Sequence, residues 1–136
     1  MTENMGWIGV DLDGTLAYYD GNWRGGYKIG EPIPKMVKKV KELLRQGKTV
    51  RIFTARIAEN SLPYGIKTTN EMAALIQDWC TKHIGQRLEV VNTKDCFMEV
   101  LYDDRAKQVV SNEGVLVEDL LKTYYEYYKN HKELKK

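Results

Sequence analysis

Short apolar runs alternate along this chain with longer stretches in which apolar residues recur at helical spacing. The first run, Trp7-Ile8-Gly9-Val10, leads into Asp11-Leu12-Asp13-Gly14-Thr15. Side chains alternate between the faces of a strand, which predicts that Asp11 and Asp13 point the same way while Leu12 packs. Met36, Val37, Val40, Leu43 and Leu44 then recur at the spacing of a helix that opens at Pro34 and stops at Gly47. Thr49 to Thr54 reads as a second strand. Residues 57–67 read as a loop punctuated by Pro63 and Gly65. Thr68-x-x-Glu71 is a capping box, and Met72, Leu75, Ile76, Trp79, Cys80 and His83 follow on one helical face. Leu88–Asn92, Val100–Tyr102 and Gln108–Val110 read as strands three, four and five. A last helix carries Leu116, Val117, Leu120, Leu121, Tyr124, Tyr127 and Tyr128, and a charged tail, 129–136, reads as frayed.

Strands alternating with helices predict an α/β fold with a parallel sheet and right-handed crossovers. Ligands of such sheets sit beyond the carboxyl ends of the strands. Asp11 and Asp13, Thr54, and Asp103-Asp104 all fall at such ends. Between the first strand and the first helix, Asp20-Gly21 lies among aromatic residues and predicts a hairpin, so residues 16–30 read as a small flap beside the acidic strand end.

Composition narrows the classes. A length of 136 residues suits a single domain spanning 1–136, and 43% hydrophobic with 29% charged residues is ordinary for a globular chain. A net charge of +2 gives no reason to expect a nucleic-acid or membrane partner, and no apolar run is long enough to span a bilayer. The start lacks the pattern of a signal peptide, and Cys80 and Cys96 are not in metal-ligand spacing, so a reducing, cytoplasmic location is expected.

Two carboxylates at the end of a buried strand need compensation, because desolvating them unpaired is costly. A divalent metal, a shared proton or both would serve. A calcium loop does not fit, since its glycine belongs at the sixth position and Gly14 comes fourth. Arg56, just past the strand end at Thr54, either grips a phosphate or forms a salt bridge.

Apolar strand, then Asp11-Leu12-Asp13-Gly14-Thr15-Leu16, resembles the first motif of the haloacid dehalogenase superfamily. Thr54 resembles its second motif, Lys94 its third and Asp103-Asp104 its fourth. The resemblance implies a three-layer Rossmann-like fold around a mostly parallel five-stranded sheet of order 3-2-1-4-5. It makes Asp11 the nucleophile that becomes an aspartyl phosphate and Asp13 the general acid and base. Thr54 and Lys94 would hold the phosphoryl group, with Ala55 and Arg56 beside it. Mg2+ would be held by Asp11, the main-chain carbonyl of Asp13, and Asp103 or Asp104. An acid at position 13 points to a phosphatase or phosphomutase. The intervals Gly14–Pro34 and Arg56–Leu88 are too short for a cap domain, which favours hydrolysis. Asp103-Asp104-Arg105 is also similar to the phosphatase half of bacteriophage polynucleotide kinase-phosphatases, although no kinase loop is present.

The expected function is therefore a magnesium-dependent phosphomonoester hydrolase acting on a phosphorylated small molecule, a nucleotide or a polynucleotide 3′-phosphate. The alternative is a non-catalytic phosphate- or metal-binding module. Trp23 and Arg24 in the flap are candidate substrate contacts, or the flap's aromatic residues only pack the hairpin.

Overall fold

The structure is a computed structural model of the 136-residue chain, and it describes residues 5–22 and 27–131. Contacts divide the chain into two compact units, Met1–Asp104 and Arg105–Lys136.

The first unit holds a parallel sheet of four strands, β1 (Trp7–Val10), β2 (Val50–Phe53), β3 (Glu89–Val91) and β4 (Met98–Tyr102), in the order β3-β2-β1-β4. Helix α1 (Pro34–Arg45) joins β1 to β2, and α2 (Thr69–His83) joins β2 to β3. Pro34 starts α1 because its missing N–H is one of the first-turn donors that has no helical partner anyway. Thr68 caps α2 by accepting from the Glu71 N–H at 3.1 Å, while the Glu71 carboxylate accepts from the Lys67 N–H at 3.0 Å. Ile8 and Val10 pair with Val50 and Ile52, and Ile52 with Val90, which puts these apolar side chains on one face under the helices. There they meet Val40, Met72, Ile76 and Cys80, all fully buried.

On the opposite face Trp7 is buried beneath the Arg51 guanidinium, 4.8 Å from its ring, and donates its indole N–H to Asp95 Oδ1 at 2.8 Å. β4 begins at Met98, two residues before the expected Val100, and a bulge between Trp7 and Ile8 absorbs the register shift.

Two expectations fail. The sheet has four strands among the described residues, not five. Gln108–Val110 supplies only Val109, in an isolated antiparallel bridge to Leu116. Asn112 (φ 64°) and Gly114 (φ 69°) reverse the chain at once, so the Val110 N–H donates to the Val115 carbonyl at 2.8 Å and the segment pairs with its own return. The flap is also not a strand-paired hairpin among its described residues. The turn at Asp20-Gly21 is present, with Gly21 at φ 87° and the Asn22 N–H on Asp20 Oδ1. Only the base is paired, by Tyr18 N–H to the Glu31 carbonyl and Ile33 N–H to the Leu16 carbonyl, both 2.8 Å. The approach is close enough at Gly30 that a Cβ there would collide with the Tyr18 carbonyl. The indole N–H of Trp79, on α2, holds the Gly30 carbonyl at 3.0 Å.

The second unit contains the bridged turn and helix α3 (Val117–His131). Lys107 Nζ there binds both oxygens of Glu118, at 2.9 and 2.8 Å. No described helix is long and apolar enough to cross a membrane.

Candidate metal and phosphate site

Strand order places β2 and β4 on either side of β1, so the connection reverses direction at β1. In a parallel sheet such a reversal opens a crevice at the carboxyl ends. Asp11 follows β1 directly, and its N–H continues the ladder to the Tyr102 carbonyl at 2.9 Å. That bond sets Asp11 beside the end of β4, where Asp103 and Asp104 follow. The three carboxylates each offer an oxygen, all within 4.8 Å of one another.

Beyond Asp11 the chain turns tightly. The carbonyl of the fully buried Leu12 accepts from Thr15, Leu16 and Ala17 at 3.3, 2.9 and 2.8 Å. The turn needs glycine at position 14, where φ is 90° and an added Cβ would lie 2.6 Å from Asp104 Oδ2. It also brings Thr15 into the cluster. The Thr15 hydroxyl is 3.2 Å from both Asp11 Oδ2 and Asp104 Oδ1 and accepts from the Asp104 N–H at 3.0 Å. One hydroxyl proton cannot serve two carboxylates together.

Electrostatics follow from this crowding. Burial, then the Asp103 charge and a hydrogen bond with Asp104, push the Asp11 carboxyl up to about 7, against a smaller opposing effect of Thr15. Among the described residues neither Asp11 nor Asp104 has a lysine or arginine ion pair. Three converging hard oxygen donors suit a magnesium-like cation that keeps several waters. The donor set therefore fits the expected metal.

Asp13 lies elsewhere. β1 ends at Val10, so the strand alternation that would have aligned Asp11 with Asp13 does not reach them. Arg56 grips the Asp13 carboxylate with both arms, Nε to Oδ2 at 2.7 Å and Nη2 to Oδ1 at 2.9 Å, and both side chains are buried, 7% and 9% exposed. Arg56 thus forms an ion pair, and a buried one where a surface salt bridge was the expected alternative to a phosphate contact. The Asp13 carboxylate is thus outside the acidic group; a metal contact would fall to its main-chain carbonyl.

Thr54 follows β2, buried, and its hydroxyl accepts from the Arg56 N–H at 3.1 Å, capping a 3₁₀ turn at Ala55–Ile57. The same turn carries the Arg56 side chain that reaches Asp13. Ala55 is exposed on the same turn. Lys94 is exposed in the loop after β3 and has no ion pair among the described residues. Trp23 and Arg24 lie outside the described residues.

Past Arg56, away from any strand, a cavity of about 410 Å³ is lined by Tyr18, Tyr19, Lys28, Gly30, Glu31 and the Arg56 side chain, among others. Thr15 and Glu31 are additions to the residues expected from sequence. Thr15 has a signal, its place at the end of the acidic turn; Glu31 has none, because only the paired base of the flap brings it there.

No protein-family model matches this chain, and no curated protein matches it. A solved structure described as the conserved protein coded by a locus from Bacteroides thetaiotaomicron is similar, with a TM-score of 0.51 and 21% identity over 90% of this chain and 88% of that one. At that identity the likeness concerns the fold alone: an α/β fold on a parallel sheet.

Proposed function

We propose that this chain is a magnesium-dependent phosphomonoester hydrolase of the haloacid dehalogenase-like, capless, Rossmann-like type, working in the cytoplasm through an aspartyl phosphate on Asp11. The observation that carries this reading is the convergence of Asp11, Asp103 and Asp104 at the strand-order reversal, with a hydroxyl between them.

Bound magnesium would lower the repulsion between the phosphate and the carboxylates. Asp11, Asp103 and Asp104 would hold it. An Asp11 oxygen attacks phosphorus, the bond to the leaving oxygen breaks, and that oxygen takes a proton from Asp13, which holds one once Arg56 releases one of its two oxygens. Water then attacks the same phosphorus, gives its proton to Asp13, and phosphate leaves with the Asp11 carboxylate restored. Thr54 and Lys94 are the proposed phosphoryl contacts. Arg56 both orients Asp13 and lines the cavity, so the leaving group would lie against Tyr18, Tyr19 and Lys28. The two tyrosine rings suit a nucleotide-type ester.

One observation favours the second reading, binding without turnover: Arg56 already occupies both oxygens of Asp13. Hydrolysis of an aryl phosphate separates the two. The proposal expects magnesium-dependent turnover that Asp11→Asn abolishes in a protein with unchanged circular dichroism. Magnesium and phosphate binding with no turnover would establish the second reading, and full activity in excess chelator would overturn the first.

A further inference from the structure

Within its own unit, helix α3 leaves every residue from Glu118 to Asn130 exposed and buries none. At 100° per residue, Val117, Leu120, Leu121, Tyr124, Tyr127, Tyr128 and His131 all fall within about 60° of Tyr124. Glu118, Asp119, Lys122, Glu126 and Lys129 fall on the rest of the circumference. Within this stripe Val117, Leu121, Tyr124 and Tyr128 repeat at intervals of four, three and four, the spacing of a helix-pairing seam. The stripe is ordered along its length: the Tyr124 and Tyr128 rings stack at 6.1 Å and those of Tyr127 and His131 at 4.1 Å.

We propose that α3 pairs antiparallel with α3 of a second copy of this chain, about a two-fold axis at Tyr124. Two observations select this occupant. The first is charge. The first turn carries Asp119, beside a Glu118 already paired with Lys107, and the last carries Lys129, which a two-fold at Tyr124 sets opposite Asp119 of the other copy. Antiparallel pairing sets the acidic end of each helix beside the basic end of the other and opposes the two helix dipoles. A parallel pair would stack like charge on like at both ends.

The second is area. Leu120, Leu121, Tyr124, Tyr127 and Tyr128 are 43–61% exposed. Covering them removes roughly 500–600 Å² per copy, somewhat below the ~800 Å² per partner of a standard interface. The pair is therefore a weak dimer, with dissociation in the micromolar range. In this register Leu121 of one copy meets Tyr127 of the other, and Tyr124 meets itself.

Sedimentation equilibrium on the full chain, from about 1 to about 500 µM, tests the pairing. The mass is expected to climb from 15.8 kDa towards twice that value. Leu121→Asp and Tyr124→Asp should each hold it at the monomer with unchanged circular dichroism. A second test fixes the direction. In a Cys96→Ser background, oxidation should link Tyr124→Cys chains into dimers and leave Val117→Cys chains unlinked. A monomer at every concentration, a dimer indifferent to both aspartates, or efficient linking through position 117 would each overturn the proposal.

Discussion

Replacing Arg56 by alanine should be among the most destabilising single changes in this protein. The Arg56 side chain is 7% exposed, that of its Asp13 partner 9%, and two parallel hydrogen bonds of 2.7 and 2.9 Å join them. Two lesser bonds, 3.4 Å each, run from the same group to the carbonyls of Tyr27 and Lys28 and tie the far end of the flap. Removing the arginine leaves a carboxylate desolvated without a partner, which costs about 3–5 kcal/mol. In a chain of 136 residues about 3 kcal/mol lowers the melting temperature by roughly 10 °C. Urea unfolding of the wild type, Arg56→Ala, Asp13→Ala and the double variant completes a cycle. The coupling should be at least about 2 kcal/mol, with the double variant little worse than Arg56→Ala alone. Arg56→Lys should recover only part, because an ammonium cannot make the parallel pair of bonds. A loss under about 1 kcal/mol with additive single effects would reduce the pair to the worth of an exposed bridge.

Other outcomes follow from the acidic cluster. The folded Asp11 carboxyl, raised to about 7 from 3.8, favours the protonated folded state, so without metal this group's stabilisation is present below about pH 4 and lost as pH rises through 7. Melting curves in chelator should thus fall between pH 5 and pH 8 more steeply for the wild type than for Asp11→Asn, and magnesium should raise the melting temperature more at pH 8; equal pH slopes would remove the crowding argument. Thr15→Val should weaken magnesium binding about 10- to 100-fold with the fold retained, measured by calorimetry, since the hydroxyl positions two of the three carboxylates. Gly14→Ala should cost about 1–3 kcal/mol in urea and weaken magnesium binding too, because the new methyl meets Asp104 and the backbone is left-handed there. An unchanged metal affinity in that variant would place Asp104 outside the site.

What sequence makes legible here is local or repetitive. Pro34, the Thr68–Glu71 cap and the apolar spacing of the first two helices are short-range signals, and α1 and α2 fall where those signals put them. Asp11 and Asp103-Asp104 were legible because the strands before them are apolar and each acid sits at a strand end. The lost fifth strand marks the limit. Gln108-Val109-Val110 has the composition of a strand, but pairing depends on which backbone comes near, and the turn at Asn112–Gly114 supplies that backbone within a few residues. The Arg56–Asp13 pair spans 43 positions, and nothing in either neighbourhood announces the other. Lys94 shows the converse: its place before Asp103 is what the resemblance leads one to expect, yet it stands exposed in its loop.

The bond from the Trp79 indole to the Gly30 carbonyl gives the molecule a built-in optical probe. Trp79 is 8% exposed, and its N–H ends on a backbone group that also lines the cavity beside Arg56. A guest displacing that carbonyl changes the dipole facing the indole and shifts its emission. Trp7, sealed under Arg51 on the other face of the sheet, contributes a steady background. With Trp23 changed to phenylalanine, fluorescence from these two buried rings would follow occupancy of the cavity directly, without label and whether or not the guest is turned over.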